Sequence, residues 1–205
     1  MKKITFLILI LVFFSCKKDA KNPDSVTTKA IITDSTIYSS TAIQNYLKLN
    51  PKFSEYQIIG LHNPKEFTVK ELTFPVKEND FDYNKSADFK YFIATTFDLN
   101  KTNYKVITYI SYGENGSKVL NIQLNSYLSG AQVDALLLDC RFTFETEYYR
   151  NFSINSNGTI TLKKSAIDSL LFNEEGDIIG QKAVKDTTTE VVLYKMNSMG
   201  HFIKS

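Results

Sequence analysis

The sequence contains no tryptophan, two histidines and two cysteines, and each shortage removes a class of chemistry. His62 and His201 are far apart, and neither a His-x-x-x-His nor a Cys-x-x-Cys pair occurs, so the usual zinc-ligand spacings are missing. There is no Gly-x-Ser-x-Gly elbow, no P-loop and no dinucleotide-binding glycine fingerprint. Glycine and proline are sparse, at eight and four, which excludes collagen-like and linker-dominated architectures. Neither sign of charge dominates, with 24 basic against 22 acidic residues, and no basic cluster marks a nucleic-acid surface. The longest apolar run, Ile4 to Phe14, sits at the N-terminal end.

That run follows Met1-Lys2-Lys3 and precedes Ser15-Cys16. As a helix it would be roughly 16 Å long, against a hydrocarbon core of about 30 Å. It is too short to span and has the layout of a signal-peptide apolar segment. Ser15-Cys16 resembles the lipobox of bacterial lipoproteins, with Phe13 and Phe14 standing where that signature usually has Leu and Ala or Ser. The resemblance implies cleavage before Cys16 and acylation of its thiol and new amino group. The covalent lipid on Cys16 is then the only cofactor-like group expected, and it would hold the chain on a membrane. Lys17, after the cysteine, lacks the aspartate associated with inner-membrane retention, so residence in the outer membrane of the cell envelope is expected. Cleavage removes Lys2 and Lys3 and leaves 22 basic against 22 acidic residues. Cys140 is then the one remaining thiol. Its neighbours Leu136-Leu137-Leu138 mark it as a small buried hydrophobe.

Three segments follow: a signal peptide over 1–15, a lipidated cysteine with a flexible polar tether over 16–37, and one globular domain over 38–205. Ser39 to Leu49 has the spacing of a short helix, with Ile43, Tyr46 and Leu47 on one side and Asn50-Pro51 as a stop. Beyond it the period becomes two. Leu120, Ile122 and Leu124 alternate with Asn121, Gln123 and Asn125, and Arg141 to Tyr148 alternates likewise. Phe89–Phe97, Tyr104–Tyr112, Thr159–Leu162 and Glu190–Met196 are rich in β-branched and aromatic residues. Ala131–Leu138 and Ser165–Phe172 are readable as strand or short helix. Turn signals separate these runs at Glu114-Asn115-Gly116, Asn155-Ser156-Asn157-Gly158, Glu174-Glu175-Gly176-Asp177 and Met199-Gly200. The expected fold is mainly β: an antiparallel meander, curled or barrel-like, with a short N-terminal helix after the tether.

Few residues suggest chemistry. Asp80, Asp82 and Asn84 place oxygens as at the start of a calcium-binding EF-hand loop, but Lys85 replaces the required glycine and Tyr91 the closing glutamate. Glu145 and Glu147, on one strand face with Arg141, have a separation open to glycosidase carboxylates but no visible cleft. Tyr104, Tyr109, Tyr112, Tyr127, Tyr148 and Tyr149 are either half-buried strand residues or binding anchors. The polar row Asn121, Gln123 and Asn125 is expected to face water or a partner. In style the β-rich body resembles uncharacterised Bacteroidetes, flavobacterial-type envelope lipoproteins. The functional expectation is a non-catalytic, membrane-anchored lipoprotein binding a protein or glycan partner. An inhibitor or immunity protein against an envelope-attacking toxin or lysozyme is the alternative.

Overall fold

The computed structural model describes residues 35–52, 55–62, 64–113, 116–143 and 145–205. The segments read as a signal peptide and, up to residue 34, as a tether lie outside them, Cys16 included. Twelve strands are described: β1 (Thr36–Ser39), β2 (Leu47–Asn50), β3 (Glu55–Ile58), β4 (Pro64–Lys65), β5 (Tyr91–Leu99), β6 (Thr102–Tyr112), β7 (Lys118–Leu128), β8 (Ala131–Thr143), β9 (Thr146–Asn155), β10 (Thr159–Phe172), β11 (Ile178–Met196) and β12 (Phe202–Lys204). The one α-helix among them is α1 (Val69–Thr73). From β4 to β12 each strand pairs antiparallel with the next in sequence. The meander is mainly β as expected, and its ends, β4 and β12, do not pair to close a barrel.

The meander parts in the middle. β8 and β9 share only the pairs Phe142↔Tyr148 and Thr143↔Glu147. Beyond them β8 continues on β7, while the far half of β9 takes β1 as its partner. Two arms of sheet result, and a common core lies between them. Tyr104, Val106, Ile122, Leu124, Leu136 and Leu138 come from one arm, and Phe152, Ile154, Ile160, Leu162, Tyr194 and Phe202 from the other. Thr36 and Ile37 therefore belong to the domain and not to the tether, because the half of β9 that β8 leaves has an edge to fill.

The expected helix from Ser39 to Leu49 contracts to a 3-10 turn, Ala42–Asn45. Ile43 and Tyr46 do enter the core, but Leu47–Asn50 is extended and pairs with β3. Arg141 to Tyr148 is not one strand: β8 ends at Thr143, β9 begins at Thr146, and the two pair antiparallel as a hairpin. Ala131–Leu138 and Ser165–Phe172 resolve as strand. The turns at Asn155–Gly158 and Glu174–Asp177 form as read, with Gly158 and Gly176 at φ +81° and +89°, the left-handed region glycine enters without strain.

Ile122 and Leu124 point into the core between the arms, and Leu120 is buried as well. Asn121, Gln123 and Asn125 do not face water: all three are fully buried. A second layer covers that face of the first arm. Residues 66–90 lie over it, with Phe67, Leu72 and Phe89 on Tyr91, Ile107 and Tyr109, and Val76 and Tyr83 on Val119, Leu137 and Cys140. Thr68 starts α1 with a capping box: Glu71 N–H donates to Thr68 Oγ1 at 3.2 Å, and Thr68 N–H to Glu71 Oε2 at 2.9 Å. Lys85 closes the helix by donating to the carbonyls of Glu71 and Phe74 at 2.7 and 2.8 Å.

Candidate functional site

The buried amides of β7 form a chain of hydrogen bonds. Tyr109 Oη donates to Gln123 Oε1 at 3.3 Å, and Gln123 Nε2 to Asn125 Oδ1 at 2.6 Å. Asn125 Nδ2 donates to Tyr127 Oη at 3.2 Å, and Tyr127 Oη to Glu71 Oε1 at 2.8 Å. Lys65 Nζ completes the line at 2.6 Å from the same carboxylate. Burial alone would raise Glu71, but Lys65, the Thr68 N–H and Tyr127 outweigh it and hold the carboxyl at about 2. These side chains brace the second layer onto the sheet. With zero exposure, the amides present no binding face.

A second polar group fills the seam where β8 and β9 part. Leu138 is an extra residue in β8, and Lys77 bonds along the exposed edge: Lys77 N–H donates to the Ala135 carbonyl, and Leu137 N–H to the Lys77 carbonyl. Arg150 is fully buried there. Its guanidinium donates to the carbonyls of Leu137 and Glu78 at 3.0 and 2.8 Å and pairs with Asp80 at 3.1 Å. Lys164 pairs with both Asp80 and Glu78 at 2.6 Å. The Asp80 carboxylate thus carries two protein cations. Asp80, Asp82 and Asn84 share a loop, but that loop closes the seam, and no group of three or more His, Cys, Asp or Glu side chains placed to hold a metal occurs among the described residues. Asp139 accepts from Arg141 Nε at 2.5 Å and from Arg150 N–H at 2.7 Å. Burial pushes its carboxyl up to about 6 against those partners.

The remaining residues singled out from the sequence do not converge. Cys140 is buried beneath Val76 and Tyr83, and burial pushes its thiol up to about 12, as expected of an inert core residue. Glu145 is exposed at the β8–β9 turn, and Glu147 follows in β9. His201 stands 3.7 Å from Asp134 near the C-terminal strand, while His62 lines a hollow by β4. Of the tyrosines, Tyr104, Tyr109 and Tyr127 are buried, Tyr148 and Tyr149 half-buried, and Tyr112 is 54 % exposed.

Tyr112 stands at the mouth of an opening lined by aromatic residues. A cleft of about 680 Å³ lies between β3 and the ends of β5 and β6. Its lining combines the aromatic rings of Tyr56, Phe89, Phe92 and Tyr112 with Ile58, Ile59 and Ile110 and the polar side chains of Gln57, Asp88 and Lys90. The Phe89 and Tyr112 rings are 5.8 Å apart and tilted by 58°. Tyr56 is steadied by the Arg141 guanidinium, 5.8 Å from its ring centre. Lys118, also in the lining, pairs with Glu55 at 2.8 Å and ties the start of β7 to β3. A second hollow of about 720 Å³ shares Asp88, Phe89, Lys90 and Phe92, so residues 88–92 form a rib between two depressions.

The cleft draws on β3, on the loop before β5, and on β5 to β7. No local motif announces it. The exposed Tyr112 was the one signal in the sequence, as one of six tyrosines. The chain matches no protein-family model, no curated protein and no solved structure in the comparisons made.

Proposed function

We propose that this chain is a membrane-anchored envelope lipoprotein, acylated on Cys16, whose β domain is non-catalytic and binds a partner in the cleft beside Phe89. The observation that carries the reading is the lining of the cleft: four aromatic rings and three isoleucines, with Gln57, Asp88, Lys90 and Lys118 as its hydrogen-bonding groups. Such a surface suits a ligand with both an apolar face and many polar edges. Of the glycan and protein partners expected, a glycan fits better, because a pyranose ring offers a C–H face to each aromatic and hydroxyls to Gln57, Asp88 and Lys90. The dispersal of Cys140, Glu145, His62 and His201 supports a binding role over a catalytic one.

Titration calorimetry of the chain against oligosaccharides released from envelope polysaccharides tests this. Tyr112→Ala and Phe89→Ala are expected to weaken binding by about tenfold or more, and Ile203→Ala, on β12, to leave it unchanged. Absence of any saccharide binding, or binding indifferent to both aromatic substitutions, refutes the cleft. Anchorage is tested separately: Cys16→Ser should abolish palmitate labelling, and persistence of the label would refute acylation at that residue. Recovery of the wild-type chain in the inner-membrane fraction of a density gradient would refute outer-membrane residence.

A further inference from the structure

Among the described residues, β11 alone pairs with β10 beyond Asp168, and the two run on as a hairpin. The register jumps from Asp168↔Asp186 to Leu170↔Gln181, so Lys182 to Lys185 form a bulge that sets the tip, residues 170–181, apart. Leu171, Phe172, Ile178 and Ile179 on that tip are 43, 40, 56 and 59 % exposed. A single exposed aliphatic is ordinary, whereas four on one short hairpin form a patch that marks an interaction site. Phe172 pairs across from Ile178, and Leu171 points to the opposite face, so both faces of the tip are apolar.

The tip is also held in one shape. Asn173 Oδ1 accepts from the N–H groups of Glu175 and Asp177 at 3.0 and 2.8 Å, and Asn173 N–H donates to the Asp177 carbonyl at 3.0 Å. Such ordering before contact lowers the entropic cost of binding. The turn carries Glu174, Glu175 and Asp177, and no basic residue lies between Leu170 and Gln181.

We propose that this hairpin tip is a docking element that inserts into an apolar groove, rimmed by basic side chains, on another protein. The reading goes beyond the partner assigned to the cleft and uses a different surface. Charge selects the occupant. Three carboxylates at the leading turn are repelled by an anionic lipid surface, and two such tips repel each other. A cationic rim would attract them and speed encounter.

The test uses the full chain in its own envelope, with a photo-cross-linking residue at Glu175 or, as control, at the exposed Lys163 on the body of β10. The expected result is one heterologous protein joined at Glu175 and not at Lys163. Once purified, that protein should bind wild-type chain in a salt-sensitive manner. Phe172→Ser with Ile178→Ser, and separately Glu174→Lys with Glu175→Lys, should each weaken binding about tenfold or more. Because the tip lies outside the core, both variants should keep the wild-type melting temperature. The charge-reversed pair, on the turn, provides a second test should the apolar pair fail to fold. Adducts only with a second copy of the chain, no adduct, or binding indifferent to charge reversal would overturn the proposal. So would flotation of the Cys16→Ser chain with phosphatidylglycerol–phosphatidylethanolamine vesicles, lost in the same variants.

Discussion

Gln123 offers a sharp test of the two-layered first arm. As a solvated residue on an outer face, its truncation would cost no more than about 0.5 kcal/mol. The structure predicts otherwise. Gln123→Ala removes the acceptor for Tyr109 Oη and the donor for Asn125 Oδ1, both on buried side chains. Each of the two stranded groups costs about 1 to 3 kcal/mol, so the loss should reach roughly 2 to 6 kcal/mol. Ile122→Ala, on the other face of the same strand, should cost a similar 2 to 5 kcal/mol, roughly, through lost transfer energy and a cavity. Gln123→Met separates the causes, because it keeps the volume and loses only the hydrogen bonds. It should fall between wild type and Gln123→Ala. Urea denaturation followed by tyrosine fluorescence measures all three, since the chain has 12 tyrosines and no tryptophan. With a slope of about 2 kcal/mol per molar, a 3 kcal/mol loss moves the midpoint by roughly 1.5 M. A Gln123→Ala midpoint indistinguishable from wild type, beside a large shift for Ile122→Ala, would refute the buried ladder and the second layer together.

Acid should loosen the domain in a defined window. Glu71 and Glu78 are held at about 2, from an ordinary 4.5, because their cation and hydroxyl partners outweigh burial. Their stabilisation is complete above about pH 4.5 and lost as pH falls through about 2, so Glu71→Gln should flatten the fall in thermal midpoint across that range. Asp139 runs the opposite way: with its carboxyl pushed from 3.8 to about 6, its contribution is complete below about pH 3.8 and lost as pH rises through about 6. Arg150→Met should cost about 3 to 5 kcal/mol in urea unfolding, since it strands the Leu137 and Glu78 carbonyls and takes one cation from Asp80; a loss under about 1 kcal/mol would contradict its place in the seam. Gly200→Ala should lower the thermal midpoint by several degrees, roughly, because Gly200 sits at φ +83° and a Cβ there would lie 2.8 Å from Thr102 Cγ2 and 3.0 Å from Val133 Cγ2; an unchanged midpoint would show that this turn relaxes freely.

The alternation of Leu120, Ile122 and Leu124 was enough to place one face of β7 in a core, and glycine-bearing turns located the hairpins. Polarity misled on the opposite face. Asn121, Gln123 and Asn125 are the residue types a wet strand carries, and only the covering segment 66–90 turns them into an interior ladder. That cover had a trace in the sequence, since Thr68-Val69-Lys70-Glu71 has the spacing of a capping box. The change from β8 to β9 was hidden for another reason: Arg141 to Tyr148 carries no glycine, proline or asparagine to announce a turn. Leu47 to Asn50 carries helical spacing, yet pairing with Glu55–Ile58 wins, because a single turn of helix has little cooperativity of its own. The cleft could not be read ahead, since its walls are far apart in the chain until the meander folds.

Tension applied through the N-terminal segment enters the domain at Ser35. The first resistance is a short ladder: the Ser35 carbonyl on Ser156 N–H at 2.8 Å, then the β1–β9 pairs, then Ser40 N–H on the Phe152 carbonyl and Phe152 N–H on Ser40 Oγ at 3.0 and 2.6 Å. Behind it, Ile43 and Tyr46 are lodged in the core between the two arms, with Tyr46 Oη bonded to Tyr38 Oη at 2.8 Å. A pull must therefore peel the ladder and then draw two large side chains out of the hydrophobic interior before it loads the central meander. The first dozen described residues act as a mechanical fuse: they take up strain ahead of the strands that form the cleft, and they can re-zip onto the vacated edge of β9 once the load is gone.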